Sequence, residues 1–326
     1  MRIAWATDVQ GIGDAYGFTY GNRYGKACLE DAGVTIDPDA PIALHHCPPH
    51  SFKPIPGKIN VLWTAWEFST LPPWETETLG QADAVFVTAR FLADVFRQYV
   101  NCPVEYVQQG IDTSRFFPRP RSYRPKPFRV LWVGAPNDRK GHQFVTAAWG
   151  AFAGNPRMEL YLKTTGTGRF EQHGNIVFDS RDLPGEEMVR LYHSADLFAF
   201  PSMAEGFGFT LGEAMACGIP CIAPRHTSLA DITTPHCILN LAYRETGERF
   251  KLELPGEGQF MVEAAEPDVN DLAPKIDWAY QHKAKARKIG RKGAAYIARN
   301  FTWRHAGRRL RAALRRVAQA NLQEAA

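Results

Sequence analysis

Two glutamates, Glu205 and Glu213, bracket the stretch "EGFGFTLGEAMACGI" at residues 205–219. Seven residues separate them, and three of those are glycine. A glycine-rich turn that opens a helix offers unpaired backbone N–H groups to an anion. Gly206 and Gly208 let such a ligand come close to the backbone. The carboxylates on either side can accept from hydroxyl groups, so the segment fits a ligand that is both anionic and polyhydroxylated. Simpler readings stand beside this one. Thr210 and Glu213 match a capping box, in which Glu213 only closes its own helix. Glu205 also reads as a solvated loop acid.

These residues need strand ends and helix starts to hold them. "DLFAFPS" (196–202) reads as a buried strand, "MAEGFGF" as a loop and "TLGEAMACG" as a helix ended by Gly218 and Pro220. Other strand candidates are 3–7, 60–64, 84–88, 104–107, 129–134, 159–163, 175–179 and 220–223. Helix candidates lie at 20–32, 90–99, 141–152, 185–193 and 211–217. Apolar strands alternating with helices imply an α/β chain with parallel sheets covered on both faces. "FFPRPRSYRPKPFRV" (116–130) holds four prolines and five basic residues without periodicity, and reads as a linker. Each side has its own β/α succession, which predicts two doubly wound domains facing a cleft. Ligands of such sheets bind at the carboxyl ends of the strands.

The chain has 326 residues, 45% of them apolar, enough for two domain cores. Its start lacks the long apolar run of a signal peptide, and no window is apolar enough to cross a membrane. Six cysteines without C-x-x-C spacing suggest reduced thiols and a cytoplasmic setting. The net charge of +4 is unevenly spread: thirteen Lys and Arg and no acid lie between Lys283 and Arg316. The body is therefore acidic and the C-terminal segment strongly basic. On the terminal helix, Trp303, Gly307, Leu310, Leu314 and Val317 form an apolar stripe. Arg304, Arg308, Arg311 and Arg315 form a basic stripe beside it. Such a face suits an anionic membrane, DNA or plain solvent. "HHCPPH" (45–50) has metal-ligand residue types but no second cluster to complete a site, so no metal is expected.

The stretch "PSMAEGFGFTLGEAMACGIPCIA" (201–223) resembles the donor-binding signature of retaining GT-B glycosyltransferases of family 4, also called glycosyl transferases group 1. Cys221 stands where that pattern usually has Val. "VEYVQQGIDTSRFFP" (104–118) is similar to the family's close of the N-terminal domain, "WVGAPNDRKG" (132–141) to its phosphate loop, and "NFTWRHAGRRL" (300–310) to its entry into the terminal helix. The resemblance covers nearly the whole chain, strongly after residue 100.

The resemblance implies the GT-B fold: an N-terminal Rossmann-like acceptor domain (1–120), a C-terminal donor domain (121–302), and a terminal helix (303–326) crossing back to the first. It also implies roles. Glu213 would bond the donor ribose and Glu205 would face the donor sugar. Backbone N–H groups at Phe209, Thr210 and Leu211, opened by Gly208, would hold the diphosphate, with Lys140 facing them from the loop that begins at Gly134. The family places Arg after that glycine; here the residue is Ala135, and Arg139 is the candidate substitute. Relatives end an N-terminal strand with a catalytic-site His. Trp66 and Glu67 stand there instead, making Glu67 a candidate for orienting the acceptor hydroxyl. The early turn "GIGDAYGFTYGN" (11–22), with Gly13, is expected to line the donor cleft.

The activity implied is retaining, metal-independent transfer from a nucleotide-diphosphate sugar to a hydroxyl of a saccharide, lipid-linked or small acceptor. The enzyme would be cytoplasmic or peripheral at the inner membrane surface and need no cofactor. Two other readings stay open: transfer to hydroxylated bases of DNA, and a catalytically inactive nucleotide-sugar binding module.

Overall fold

A computed structural model of the chain describes residues 1–6, 17–120, 127–166, 168–254 and 258–324. Gly13 lies outside the described residues. Two compact units emerge. Unit 1 holds Met1–Gly110, Gly247–Glu263 and Phe301–Ala326; unit 2 holds Ile111–Thr246 and Ala264–Asn300. The division falls ten residues ahead of the expected one at 120/121, and a late segment belongs to the first unit.

Unit 1 opens with β1 (Arg2–Trp5), α1 (Gly17–Asp31), β2 (Thr35–Ile36), β3 (Ile42–His46) and β4 (Ile59–Thr64). It continues with α2 (Pro73–Thr76), β5 (Ala84–Val87), α3 (Arg90–Phe96) and β6 (Val104–Tyr106). The strands pair in parallel in the order β2-β1-β3-β4-β5-β6. β3, β5 and the last five residues of β4 are buried throughout, as expected of central strands covered on both faces.

Unit 2 runs β7 (Phe128–Val133), α4 (His142–Trp149), β8 (Met158–Lys163), β9 (Phe170–His173), β10 (Ile176–Asp179) and α5 (Gly185–Ser194). Then come β11 (Leu197–Ala199), α6 (Phe209–Ala216), β12 (Cys221–Ala223), α7 (Leu229–Ile232) and β13 (Leu239–Asn240). The sheet order is β13-β12-β11-β7-β8-β10-β9, parallel except for the edge strand β9. From β7 the chain builds toward β8 and β10, then returns to build β11, β12 and β13 on the other side. The order therefore reverses between β7 and β11, which places the ligand crevice of a doubly wound sheet at their carboxyl ends. Beneath it Trp132, Trp149, Phe128, Leu160 and Ile276 belong to one buried core.

A two-stranded ribbon follows, β14 (Tyr243–Leu254) with β15 (Gly258–Pro267). Its base belongs to unit 2 and its far part to unit 1, where the Phe260 ring meets Trp74 edge-on at 5.9 Å. The helices α8 (Val269–Gln281) and α9 (Lys283–Asn300) complete unit 2, and α10 (Trp303–Glu324) returns to unit 1. All six cysteines are free thiols. No described helix is long and apolar enough to cross a membrane.

Candidate active site

The loops after β7 and β11 flank the reversal point and are laced together. After β7, Gly134 leads to a single tight turn, Asp138–Lys140, whose start is held by the Asn137 side chain accepting from the Lys140 N–H. Gly141 follows with φ of 76°. A β-carbon there would run into the Pro201 carbonyl, so only glycine allows the two loops to close on each other. The Met203 N–H donates to the Arg139 carbonyl at 2.7 Å, and Arg139 returns a guanidinium N–H to the Ala204 carbonyl at 2.6 Å. Trp132 fixes the same turn from below by donating to the Lys140 carbonyl at 3.0 Å.

This lacing brings Lys140 onto Glu205. Its ammonium donates to both carboxylate oxygens, at 2.7 and 2.9 Å, and Ser202 Oγ adds a third bond at 2.7 Å. Arg139 lies 3.6 Å from the same carboxylate. Glu205 is only 4% exposed. Burial alone would lift its pKa, but the charges of Lys140 and Arg139 and the bonds from Lys140 and Ser202 outweigh it and hold the carboxyl below its ordinary value. It is an ionised, fixed acid, not a solvated one.

Three consecutive residues after β12 hold the Glu205 loop from the other side. Thr227 Oγ1 accepts from the Glu205 N–H at 3.1 Å, and the Ser228 N–H donates to the Glu205 carbonyl at 3.3 Å. His226 is buried, its pKa pushed down to about 4, so it stays neutral. Its Nε2 faces the Ser202 carbonyl at 2.9 Å and must carry the proton, which leaves Nδ1 to accept from Thr227 Oγ1 at 3.2 Å. Thr227 sits at φ of 45°, a conformation that costs a β-branched residue about 1–3 kcal/mol and that clusters at functional sites. Periodicity gives no signal for this turn.

α6 starts at Phe209 after Gly208, whose φ is 91°. Its first intrahelical bond runs from the Gly212 N–H to the Gly208 carbonyl, so the N–H groups of Phe209, Thr210 and Leu211 precede the ladder. The capping box expected between Thr210 and Glu213 does not form. Gly208 is the N-cap, no side chain caps the helix, and Thr210 is already helical. Glu213 therefore sits one turn further in, where Tyr192 Oη donates to it at 2.9 Å. Burial dominates here: the Glu213 pKa is pushed up to about 7, with Tyr192 and Arg115 pulling it down and Asp112 pushing it up. The two acids thus differ in kind, one locked and ionised, the other on the edge of protonation at neutral pH.

Of the residues singled out in the sequence, Glu205, Lys140, Arg139, Gly134, Gly208, Phe209, Thr210, Leu211 and Glu213 all belong to the crevice of unit 2. Glu67 belongs to unit 1, half-buried just beyond the end of β4, after Trp66, whose indole donates to the Thr70 carbonyl at 2.7 Å. The histidines of "HHCPPH" point to separate partners: His45 to Asn60, His46 to Gln109 and His50 to Glu75. Among the described residues no three His, Cys, Asp or Glu side chains gather as a metal site. Tyr192, Ser202, His226 and Thr227 were not anticipated. Only Ser202 carried a signal, in the Pro-Ser turn that ends β11.

Residues 127–248 match a family model described as Glycosyl transferases group 1. The chain is similar to MMP alpha-(1->4)-mannosyltransferase of Mycolicibacterium hassiacum, 24% identical over 225 residues, 67% of this chain and 50% of that protein. It is also similar to a GDP-mannose-dependent alpha-(1-6)-phosphatidylinositol monomannoside mannosyltransferase of Mycolicibacterium smegmatis, 23% identical over 71% of this chain and 62% of that one. The chain spans about half the length of the first of these. Among solved structures, sucrose-phosphate synthase from Thermosynechococcus elongatus gives a TM-score of 0.64 at 18% identity, covering 97% of this chain and 82% of that one. Anabaena HepE in complex with UDP-glucose gives 0.64 at 16%, covering 96% and 99%.

Proposed function

We propose that the protein transfers a sugar from a nucleotide-diphosphate sugar to a hydroxyl acceptor, with retention at the anomeric carbon; the match of residues 127–248 to the glycosyl transferases group 1 model and the GT-B fold support this reading. The observation that carries the reading is the Glu205–Lys140 pair beside the first turn of α6, with Glu213 one turn further along. Breaking the glycosidic bond puts negative charge on the departing diphosphate. The first N–H groups of α6, with the charges of Lys140 and Arg139 held nearby by Glu205 and the Ala204 carbonyl, would stabilise that charge, and such preorganised electrostatics supplies much of a rate enhancement of this kind.

Glu213 accepts from the ribose hydroxyls and Glu205 from the donor sugar. Glu67 is the proposed group for orienting the acceptor hydroxyl. Retention follows a front-face route, in which the leaving phosphate takes the acceptor proton, so none of these acids need act as a nucleophile. The nucleoside of the donor is uridine or guanosine: HepE is solved with UDP-glucose, and the smegmatis relative is named as GDP-mannose-dependent.

Release of sugar from a panel of UDP- and GDP-sugars in the absence of acceptor tests the reading. One donor of the panel is hydrolysed slowly, and Lys140→Ala reduces that rate about a hundredfold or more. If no donor is hydrolysed and no nucleoside diphosphate raises the thermal midpoint, the reading fails.

A further inference from the structure

The basic face of α10 is unused by the donor site and lies wholly in unit 1. We propose that it docks the protein on an anionic phospholipid leaflet. The headgroup phosphates would seat in the groove between the end of α1 and Arg308, Arg311 and Arg315. That groove encloses about 510 Å³, and Asp31 is the single acid of its lining against Arg308, Arg311 and Arg315, with Arg316 at its edge engaged by Glu105.

The remaining arginines of α10 have structural work. Arg309 donates to Gln108 at 2.6 Å, and Arg316 makes a two-pronged pair with Glu105 at 3.0 and 2.5 Å. These bonds fix the rotation of α10 and aim the other stripe outward. Arg304, Arg308 and Arg315 are exposed. Arg311 is partly buried, and its Nε reaches neither an acceptor nor solvent. Its guanidinium nevertheless lines the groove beside Arg308 and Arg315.

The arginines are not needed to cap α1. Three of its last four carbonyls are already taken: Val34 N–H donates to Leu29, Gly33 to Glu30 and Ala32 to Cys28, at 2.9–3.1 Å. Arg304 to Arg315 spread four along about 16 Å of one line, which suits a surface that repeats its charge. Leu322, 73% exposed, lies five turns beyond Arg304 on the same line. An apolar side chain in register with the cations gains from the hydrocarbon edge of a leaflet and gains nothing from a nucleic-acid duplex.

The test is co-sedimentation of the full chain with vesicles of phosphatidylcholine alone or mixed with phosphatidylglycerol. The variant Arg304→Gln/Arg308→Gln/Arg315→Gln changes only exposed residues, so it keeps the fold. Wild-type protein sediments with the anionic vesicles only and is released by salt as the Debye length shortens. Each arginine near such a surface contributes about fivefold, so the triple variant binds roughly a hundredfold more weakly. Arg311→Gln weakens binding on its own. Neither variant alters thermal stability or acceptor-independent donor hydrolysis. Equal binding to neutral vesicles, no binding to either, or full binding by the triple variant overturns the proposal. So does displacement by inorganic phosphate alone, or tighter binding to duplex DNA at the same salt.

Discussion

Glu205 and Glu213 were visible in the sequence as a spaced pair of acids, but not their opposite environments. Local pattern made Glu213 a helix cap; the glycine that precedes α6 took that place, and the acid instead sank against Tyr192. The consequence is a pH dependence with a definite sign. A carboxyl whose folded pKa is raised to about 7 from an unfolded value near 4.5 binds its proton more tightly when folded. Its contribution to stability is full below pH 4.5 and is lost as pH rises toward 7. Hydroxyl donors favour the carboxylate, so donor binding releases this proton. The affinity for a nucleotide sugar therefore climbs about tenfold between pH 6 and its plateau above 7, and Glu213→Gln flattens the profile. A titration that releases no proton near neutrality would remove Glu213 from the ribose.

Glu205 makes the contrasting case. Its pKa is held down, so its ion pairing stabilises the fold above the unfolded carboxyl pKa and is lost only as pH falls through the lowered folded one. Lys140→Ala leaves a buried carboxylate facing only Arg139 and Ser202, and costs about 3 kcal/mol in chemical unfolding. Adding Glu205→Gln to that variant recovers most of the stability and none of the turnover. Recovery of both would make the pair structural.

At the scale of elements, most of the parallel core strands were legible because they are short apolar runs bounded by turn residues; the buried central strand β3 was not, since its run "IALHH" ends in two histidines. The β14–β15 ribbon was not, since "YRETGERFKLEL" alternates charged and small residues without an apolar run. The terminal helix was legible by its stripe of Trp303, Gly307, Leu310, Leu314 and Val317. What the stripe did not show is why position 307 is glycine. There α10 crosses α1 so closely that a β-carbon would press into the Cys28 carbonyl, a backbone atom that cannot swing aside. Two effects oppose each other in Gly307→Ala. Helix propensity favours alanine by about 1 kcal/mol, whereas overpacking against backbone costs about 1–3 kcal/mol. Packing wins, and urea unfolding of the variant shows a net loss of stability. A gain would mean that α10 rests loosely on α1.

For the whole molecule, the sequence showed two β/α successions and a linker, but not that the chain passes between the units four times: after Gly110, after Thr246, after Glu263 and after Asn300. Long-range returns of this kind leave no local pattern, because residues 247–263 join unit 1 through partners such as Trp74, distant in sequence. Four passages tie the halves covalently, yet each half keeps its own sheet, and unit 2 has a core built from its own residues alone. A ligand held by unit 2 alone should then protect the two unequally. At a hundred times its dissociation constant, a nucleoside diphosphate slows every amide exchange that requires opening of unit 2 about a hundredfold. The amides of β7, β8 and β11 show that slowing, and those of β3, β4 and β5 exchange as before. Equal slowing across both sheets would mean that the units open as one cooperative block and that the diphosphate is gripped by more than the loops after β7 and β11.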